Sequence, residues 1–335
     1  MTTFYNKSNS IILSLIIPVY KVEKYIEQCL NSIYTQNISE NLYEVIIVND
    51  GTPDDSMRIV GKFCSHKNLK IINQENQGLS LARNNGMAIS HGEYIWFIDS
   101  DDWLLPNALF TIISEIKNNI TVDVFSTRLL MFYENTEKTK IDFNPSIYEL
   151  SGKQYLTKGY NIGASQRFIM KKTFLHKNEL SFYPHILHED GVFGYMMLYF
   201  AQNIKILKDP VYAYRLRQEG SIMSSISVKS CYDLIKGHKI LKEFMYEKVD
   251  KQEQIWYQVH IFSMISSCFT ITKKIVNTLE FINFYRGNRQ YIKKEAQIMA
   301  ESNWSFIRYL LLRISPYYYF KIRNSIINVI LKIKK

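Results

Sequence analysis

Through its first hundred residues the chain alternates two hydrophobic rhythms. Short β-branched apolar runs at 11–17, 43–48, 69–72 and 94–98 predict strands. Between them Val22, Tyr25, Ile26, Cys29, Leu30 and Ile33 recur at helical spacing, and Leu79, Ala82, Gly86 and Ile89 do so again before His91-Gly92 stops the pattern. Alternation of this kind builds a parallel sheet. Val45-Ile46-Ile47-Val48 and Ile95-Trp96-Phe97-Ile98 are apolar without a break, as expected of strands covered by helices on both faces. From 103 to 225 the pattern is mixed, with a helix after Pro106 and strand-like stretches at 122–132 and 167–170. Beyond about Val228 it turns mostly helical, in long amphipathic stretches broken at Gly237, Gly287 and Pro316.

Composition narrows the class. With 335 residues, 47% hydrophobic and 21% charged, the chain is neither disordered nor collagen-like. Its net charge of +10 is uneven: residues 1–102 carry −4 and residues 301–335 carry +6. An acidic front argues against a nucleic-acid partner, whereas the tail from Trp304, where Arg and Lys punctuate Leu, Ile and Tyr, suits either an interfacial helix on anionic lipid or a packed cap with a basic rim. Cys29, Cys64, Cys231 and Cys268 form no C-x-x-C pair, so reduced thiols are expected. Residues 1–10 are polar, the next apolar run is interrupted by Pro18, and the longest apolar stretch, 261–272, falls short of the ~20 residues that span a bilayer. A cytoplasmic protein is expected, with 304–335 as the segment that could meet the inner face of the membrane.

In an open α/β sheet, ligands gather at the carboxyl ends of the strands. There the sequence places Pro18-Val19-Tyr20, then Asn49-Asp50-Gly51-Thr52-Pro53-Asp54-Asp55, then Asp99-Ser100-Asp101-Asp102. Carboxylates two apart in an extended turn can share one Mg²⁺ or Mn²⁺, or cap the helix that follows. Asp50 can accept from a base imide or a ribose hydroxyl, or serve only the geometry of a type I turn. Asn76-Gln77-Gly78 followed by Ala82-Arg83-Asn84 offers a phosphate contact at a helix start, or an ordinary cap with an exposed arginine. Glu189-Asp190 in His188-Glu189-Asp190-Gly191 reads, on its own, as two acids favoured in a helix's first turn. Tyr212-x-Tyr214-Arg215-x-Arg217-x-x-Gly220-Ser221 reads as a diphosphate clamp or as an edge strand with exposed cations.

Taken in order, P-V-Y, V-N-D-G-T-x-D-D, N-Q-G-L-S-x-A-R-N-x-G, F-I-D-S-D-D and H-E-D-G resemble the family 2 glycosyltransferases over roughly residues 10–225. That resemblance implies a GT-A fold, a Rossmann-like, mostly parallel sheet covered by helices. Residues 1–225 would form the catalytic domain, with 10–102 as its nucleotide-binding half and 103–225 as its acceptor half. Residues 226–335 would be a helical extension. It further implies a nucleotide-sugar donor, a divalent metal (Mn²⁺ or Mg²⁺) and inversion at the anomeric carbon. Position by position, Pro18, Val19 and Tyr20 would line the base pocket, Asp50 would hold the base, and Arg83, Ser100 and Arg217 would contact the nucleotide sugar. Asp99 would approach the ribose or the metal, Asp101 would be the principal metal ligand, and Asp102 could join it. Asp190 would be the general base, positioned by Glu189.

The function expected is metal-dependent transfer of a sugar, from a UDP-sugar by preference, to a glycan or lipid-linked acceptor of a bacterial surface polysaccharide. A catalytically silent nucleotide-sugar-binding scaffold is the alternative. A sugar-nucleotide pyrophosphorylase fits less well, because P-V-Y-K-V-E-K lacks the glycines its phosphate loop needs.

Overall fold

The computed structural model describes residues 11–217, 227–271 and 279–301. Its strands are β1 (Leu13–Val19), β2 (Tyr43–Asn49), β3 (Leu69–Asn73), β4 (Tyr94–Phe97), β5 (Trp103–Leu104), β6 (Val124–Ser126), β7 (Leu129–Tyr133), β8 (Lys138–Ile141), β9 (Glu149–Leu150), β10 (Phe168–Lys171), β11 (Ile204–Ile206) and β12 (Tyr212–Leu216). Its α-helices are α1 (Ile26–Tyr34), α2 (Ser56–Val60), α3 (Leu79–Ile89), α4 (Ala108–Asn118), α5 (Gly152–Thr157), α6 (Lys172–Lys177), α7 (Glu189–Phe200), α8 (Val228–Lys248), α9 (Gln254–Ile271) and α10 (Leu279–Glu301). Contacts divide them into two compact units, residues 11–185 with 197–217, and residues 186–196 with 227–271 and 279–301.

In the first unit an eight-stranded sheet runs β3-β2-β1-β4-β10-β6-β11-β9, and a smaller one runs β5-β12-β7-β8. The four strands expected from the apolar runs pair in parallel, β1 between β2 and β4 and β2 beside β3. Alternation along β1 explains why it is apolar on both faces apart from Ser14. Leu13, Leu15, Ile17 and Val19 enter a core with α1 and α4. Ile16 faces the other way, where a Cβ on Gly86 of α3 would lie 2.4 Å from its Cγ2. Gly86 is thus a packing glycine that lets α3 lie directly on the sheet.

The stretch 122–132 is not one strand. Ser126 ends β6 in the large sheet and Leu129 begins β7 in the small one. The corner is held by the Thr127 amide donating to Arg167 O at 2.8 Å and the Leu129 amide donating to Asp142 Oδ1 at 2.9 Å. Nor is β12 an edge strand, since it lies between β5 and β7; the reading of Arg215 and Arg217 as cations on an exposed edge is therefore set aside.

The second unit contains α8, α9 and α10, and neither Gly237 nor Gly287 breaks its helix. Gly237 is buried, and a Cβ there would come within 2.8 Å of Met264 Cε and 2.9 Å of Val192 Cγ2. A buried polar seam crosses the three helices: Glu295 accepts from Lys242 Nζ at 2.6 Å and from Gln258 Nε2 at 2.8 Å, and His238 Nδ1 meets the Tyr291 hydroxyl at 2.8 Å. Burial, helped by Lys242, depresses the His238 imidazole to about 3. Because the unfolded side chain titrates near its ordinary value, stability is expected to fall as pH drops from about 6.5 toward 3, by up to about 1.4 kcal/mol per pH unit. Urea titrations of wild type and His238→Gln between pH 7 and 5 check this; the variant lacks that contribution to the slope, and identical slopes refute it. Among the described residues no helix is long and apolar enough to cross a membrane. The basic tail at 304–335, Pro316 and the Gly220-Ser221 turn lie outside the described residues.

Candidate active site

Parallel register brings the sequence motifs to one edge of the large sheet. Val19 pairs with Asn49, Asn49 pairs with Asn73, and the Ile98 amide donates to Ile16 O at 2.9 Å. The segments after β1, β2, β3 and β4 therefore emerge together. At the end of β1, Pro18 and Val19 are buried, and Tyr20, the next residue, is exposed. The next amide, Lys21, donates to Thr52 Oγ1 at 2.8 Å. Asp54 gathers the loop after β2 by accepting from the hydroxyls of Thr52 and Ser56, both at 2.6 Å.

The buried Asp50 carboxylate accepts four donors: Gln74 Nε2 at 2.7 Å and the Gln77 amide at 2.8 Å on Oδ1, and the Gly78 amide at 3.0 Å and Asn76 Nδ2 at 3.3 Å on Oδ2. These occupy the four lone-pair directions a carboxylate offers. Asp50 thus organises the 74–78 loop, and a base imide could reach it only by replacing one of these donors, the longest being the Asn76 amide.

Beyond β4 the carboxylates converge. One oxygen from each of Asp99, Asp101 and Asp102 lies within 4.8 Å of the other two. Each acid has its own support. Asp99 Oδ1 pairs with Arg83 Nη2 at 2.9 Å, and its other oxygen accepts from Gln166 Nε2. Asp101 Oδ2 pairs with Arg217 Nη2 at 2.8 Å. Asp102 accepts from the Tyr212 hydroxyl and from the Arg215 amide, both at 2.7 Å. The Tyr212 hydroxyl in turn accepts from the Asp99 amide at 3.1 Å, so one phenol ties the first acid to the last. Ser100 between them is buried.

These supports do not balance the charge. Burial, then Asp99, raises the Asp101 carboxyl to about 6 against the pull of Arg217, and burial, then Asp101 and Asp99, lifts Asp102 well above the ordinary carboxylate range. Three hard oxygen donors with surplus negative charge fit a divalent cation of the Mg²⁺ or Mn²⁺ type.

Arg83 is neither an exposed arginine nor turned toward solvent. It is only 2% exposed and lies over the Phe182 ring at 5.1 Å, because it shares the buried face of α3 with Ala82 and Gly86. Two contributors carried no recognisable signal. Gln166 comes from a short turn 67 residues after Asp99, held by the Trp96 indole donating to its carbonyl at 2.7 Å. Tyr212 stood in the segment with the two arginines, but only the paired sheets reveal that it reaches Asp102.

Glu189 and Asp190 belong to the second unit and open α7. Glu189 is buried, and Asp190 is partly exposed with Oδ1 accepting from the Gly191 amide at 2.8 Å. His185 and His188 precede them with φ of 58° and 64°, left-handed backbone uncommon for side-chain-bearing residues.

The sequence profile described as Glycosyl transferase family 2 matches residues 14–178. EpsH of Bacillus subtilis (strain 168) is 32% identical over 214 residues, 61% of this chain and 60% of EpsH. TarS of Staphylococcus aureus (strain MW2), named a poly(ribitol-phosphate) β-N-acetylglucosaminyltransferase, is 28% identical over 239 residues, 67% of this chain and 39% of TarS. The chain thus spans less than two thirds of the length of either relative. The crystal structure of S. aureus TarS 1–349 in complex with UDP-GlcNAc superposes with a TM-score of 0.71 at 21% identity, covering 92% of this chain and 89% of that one, so the GT-A fold is shared. Residues 14–178 therefore carry a family 2 glycosyl transferase domain.

Proposed function

We propose that the protein transfers a sugar from a nucleotide-diphosphate donor, a UDP-sugar, to a hydroxyl of a glycan or lipid-linked acceptor during bacterial surface polysaccharide synthesis, inverting the anomeric carbon. The observation that carries this reading is the convergence of Asp99, Asp101 and Asp102 at the carboxyl edge of a parallel sheet. The TarS complex with UDP-GlcNAc and the name of that enzyme support the donor class and the kind of acceptor. Residues 1–225 would be the catalytic portion, and 226–335 its helical extension.

Tyr20 lines the base pocket, with Pro18 and Val19, expected beside it, buried behind it in β1, and Asp50, through the loop it organises, frames the base. Arg83 acts on the nucleotide indirectly by orienting Asp99. Asp99, Asp101 and Asp102 would hold a divalent cation, which when bound offsets the negative charge that builds on a departing diphosphate. Asp190 takes the proton of the attacking acceptor hydroxyl, and Glu189 positions it. A single displacement, needing no covalent sugar intermediate, inverts the donor.

A panel of UDP-, GDP- and dTDP-sugars, with Mn²⁺ or Mg²⁺ and cell-envelope lipid extract as acceptor, tests the reading. Expected is metal-dependent turnover of one donor, lost in Asp101→Ala. Calorimetric binding without turnover would favour a silent scaffold, and absence of binding across the panel would overturn the nucleotide-sugar reading.

A further inference from the structure

The two arginines that follow Tyr214 are held in different ways. Arg215 is locked: Nε donates to Asp101 O at 2.8 Å, Nη2 donates to Gln28 Oε1 at 2.5 Å, and its guanidinium lies 4.7 Å from the Trp103 ring centroid and 5.1 Å from that of Tyr25. Arg217 is held lightly. Its Nη2 pairs with Asp101 Oδ2 at 2.8 Å and its guanidinium lies 4.9 Å over Tyr25, while its Nε is buried with no hydrogen-bond partner among the described residues. The carboxylate it holds is the one the resemblance makes principal ligand to a metal.

From this arrangement we infer that Arg217 is a built-in counter-cation that a divalent ion must displace from Asp101, so that loading the ion and releasing the guanidinium are one exchange. The inference rests on reading Asp99, Asp101 and Asp102 as a divalent-cation site. Its physical basis is that a divalent ion drawn to Asp101 Oδ2, which the Arg217 guanidinium holds at 2.8 Å, would set two cations in direct repulsion, a cost relieved when the guanidinium leaves. Once displaced, Arg217 presents a planar fork of N–H donors, its unpaired Nε among them, of the geometry that recognises phosphate oxygens. A nucleoside diphosphate arriving with the ion would take up that fork. The chain therefore disfavours the bare ion and favours ion and diphosphate together, a coupling that passes through Arg217 as well as through direct ion–phosphate contact.

The test titrates Mn²⁺ into the full chain, reading free Mn²⁺ by electron paramagnetic resonance, with and without saturating UDP, for wild type and Arg217→Gln. Wild type is expected to bind Mn²⁺ weakly alone and much more tightly with UDP. In Arg217→Gln, Mn²⁺ alone binds about tenfold more tightly, and the enhancement by UDP shrinks by about the same factor, within the usual range of coupling between linked sites. Tighter Mn²⁺ binding with an unchanged enhancement by UDP would reduce Arg217 to a nearby charge and overturn the exchange. Equal Mn²⁺ affinity in the two proteins would overturn it too. If Mn²⁺ binds neither protein, with or without UDP, the cation-site reading itself fails. Arg217→Met, which keeps the apolar stem over Tyr25, replaces Arg217→Gln if the glutamine variant does not fold.

Discussion

Asp190→Asn is expected to bind a nucleotide-sugar donor as wild type does and to transfer the sugar about 10²–10⁴-fold more slowly, the usual contribution of a positioned general base. An acceptor hydroxyl is a poor nucleophile near neutral pH, so its proton must leave as the bond to the anomeric carbon forms. The Asp190 carboxylate suits that task. It opens α7, is partly exposed, and its Oδ1 is steadied by the Gly191 amide. Asparagine keeps the shape and removes the basicity, so donor affinity measured by calorimetry should hold while turnover collapses. If turnover instead stays within threefold of wild type, the base lies elsewhere.

Arg83→Met is the second large effect, and its first readout is stability. The guanidinium is buried, paired with Asp99 at 2.9 Å and packed over Phe182. Removing one partner of such a pair strands the other charge, at a typical cost of about 3–5 kcal/mol. Urea denaturation of Arg83→Met should show a loss of that size. The double variant Arg83→Met/Asp99→Asn should recover part of it, because no charge is then left unpaired. A loss below about 1 kcal/mol, within the range of exposed pairs, would mean that the pair behaves like a surface ion pair.

The gap between what α3 announces in sequence and what it does illustrates how legible this site was. Leu79, Ala82, Gly86 and Ile89 mark a helix plainly, yet the pattern says nothing of which way Arg83 points. That direction depends on how closely α3 approaches β1, which Gly86 permits. Asp50 is similar. Its place after a strand was readable, but the four donors that surround it come from a loop 24 to 28 residues further on. Arg217 was readable as a cation near a turn. Its partner, Asp101, lies 116 residues earlier in the chain and meets it because β12 is an inner strand of a second sheet.

By itself the sequence determined the four strands of the first hundred residues and the helices α1 and α3, though not the short α2, because hydrophobic periodicity is a local property and parallel strands buried on both faces are largely apolar. It also determined which residues stand at strand ends, hence the acids that form the site. Only the tertiary structure decided the rest: that 122–132 turns a corner between two sheets, that Gln166 and Tyr212 buttress the acidic cluster, and that Arg83 and Arg217 each hold one of its carboxylates. Such pairings are set by register between segments far apart in the chain, and no local pattern of polar and apolar residues encodes them.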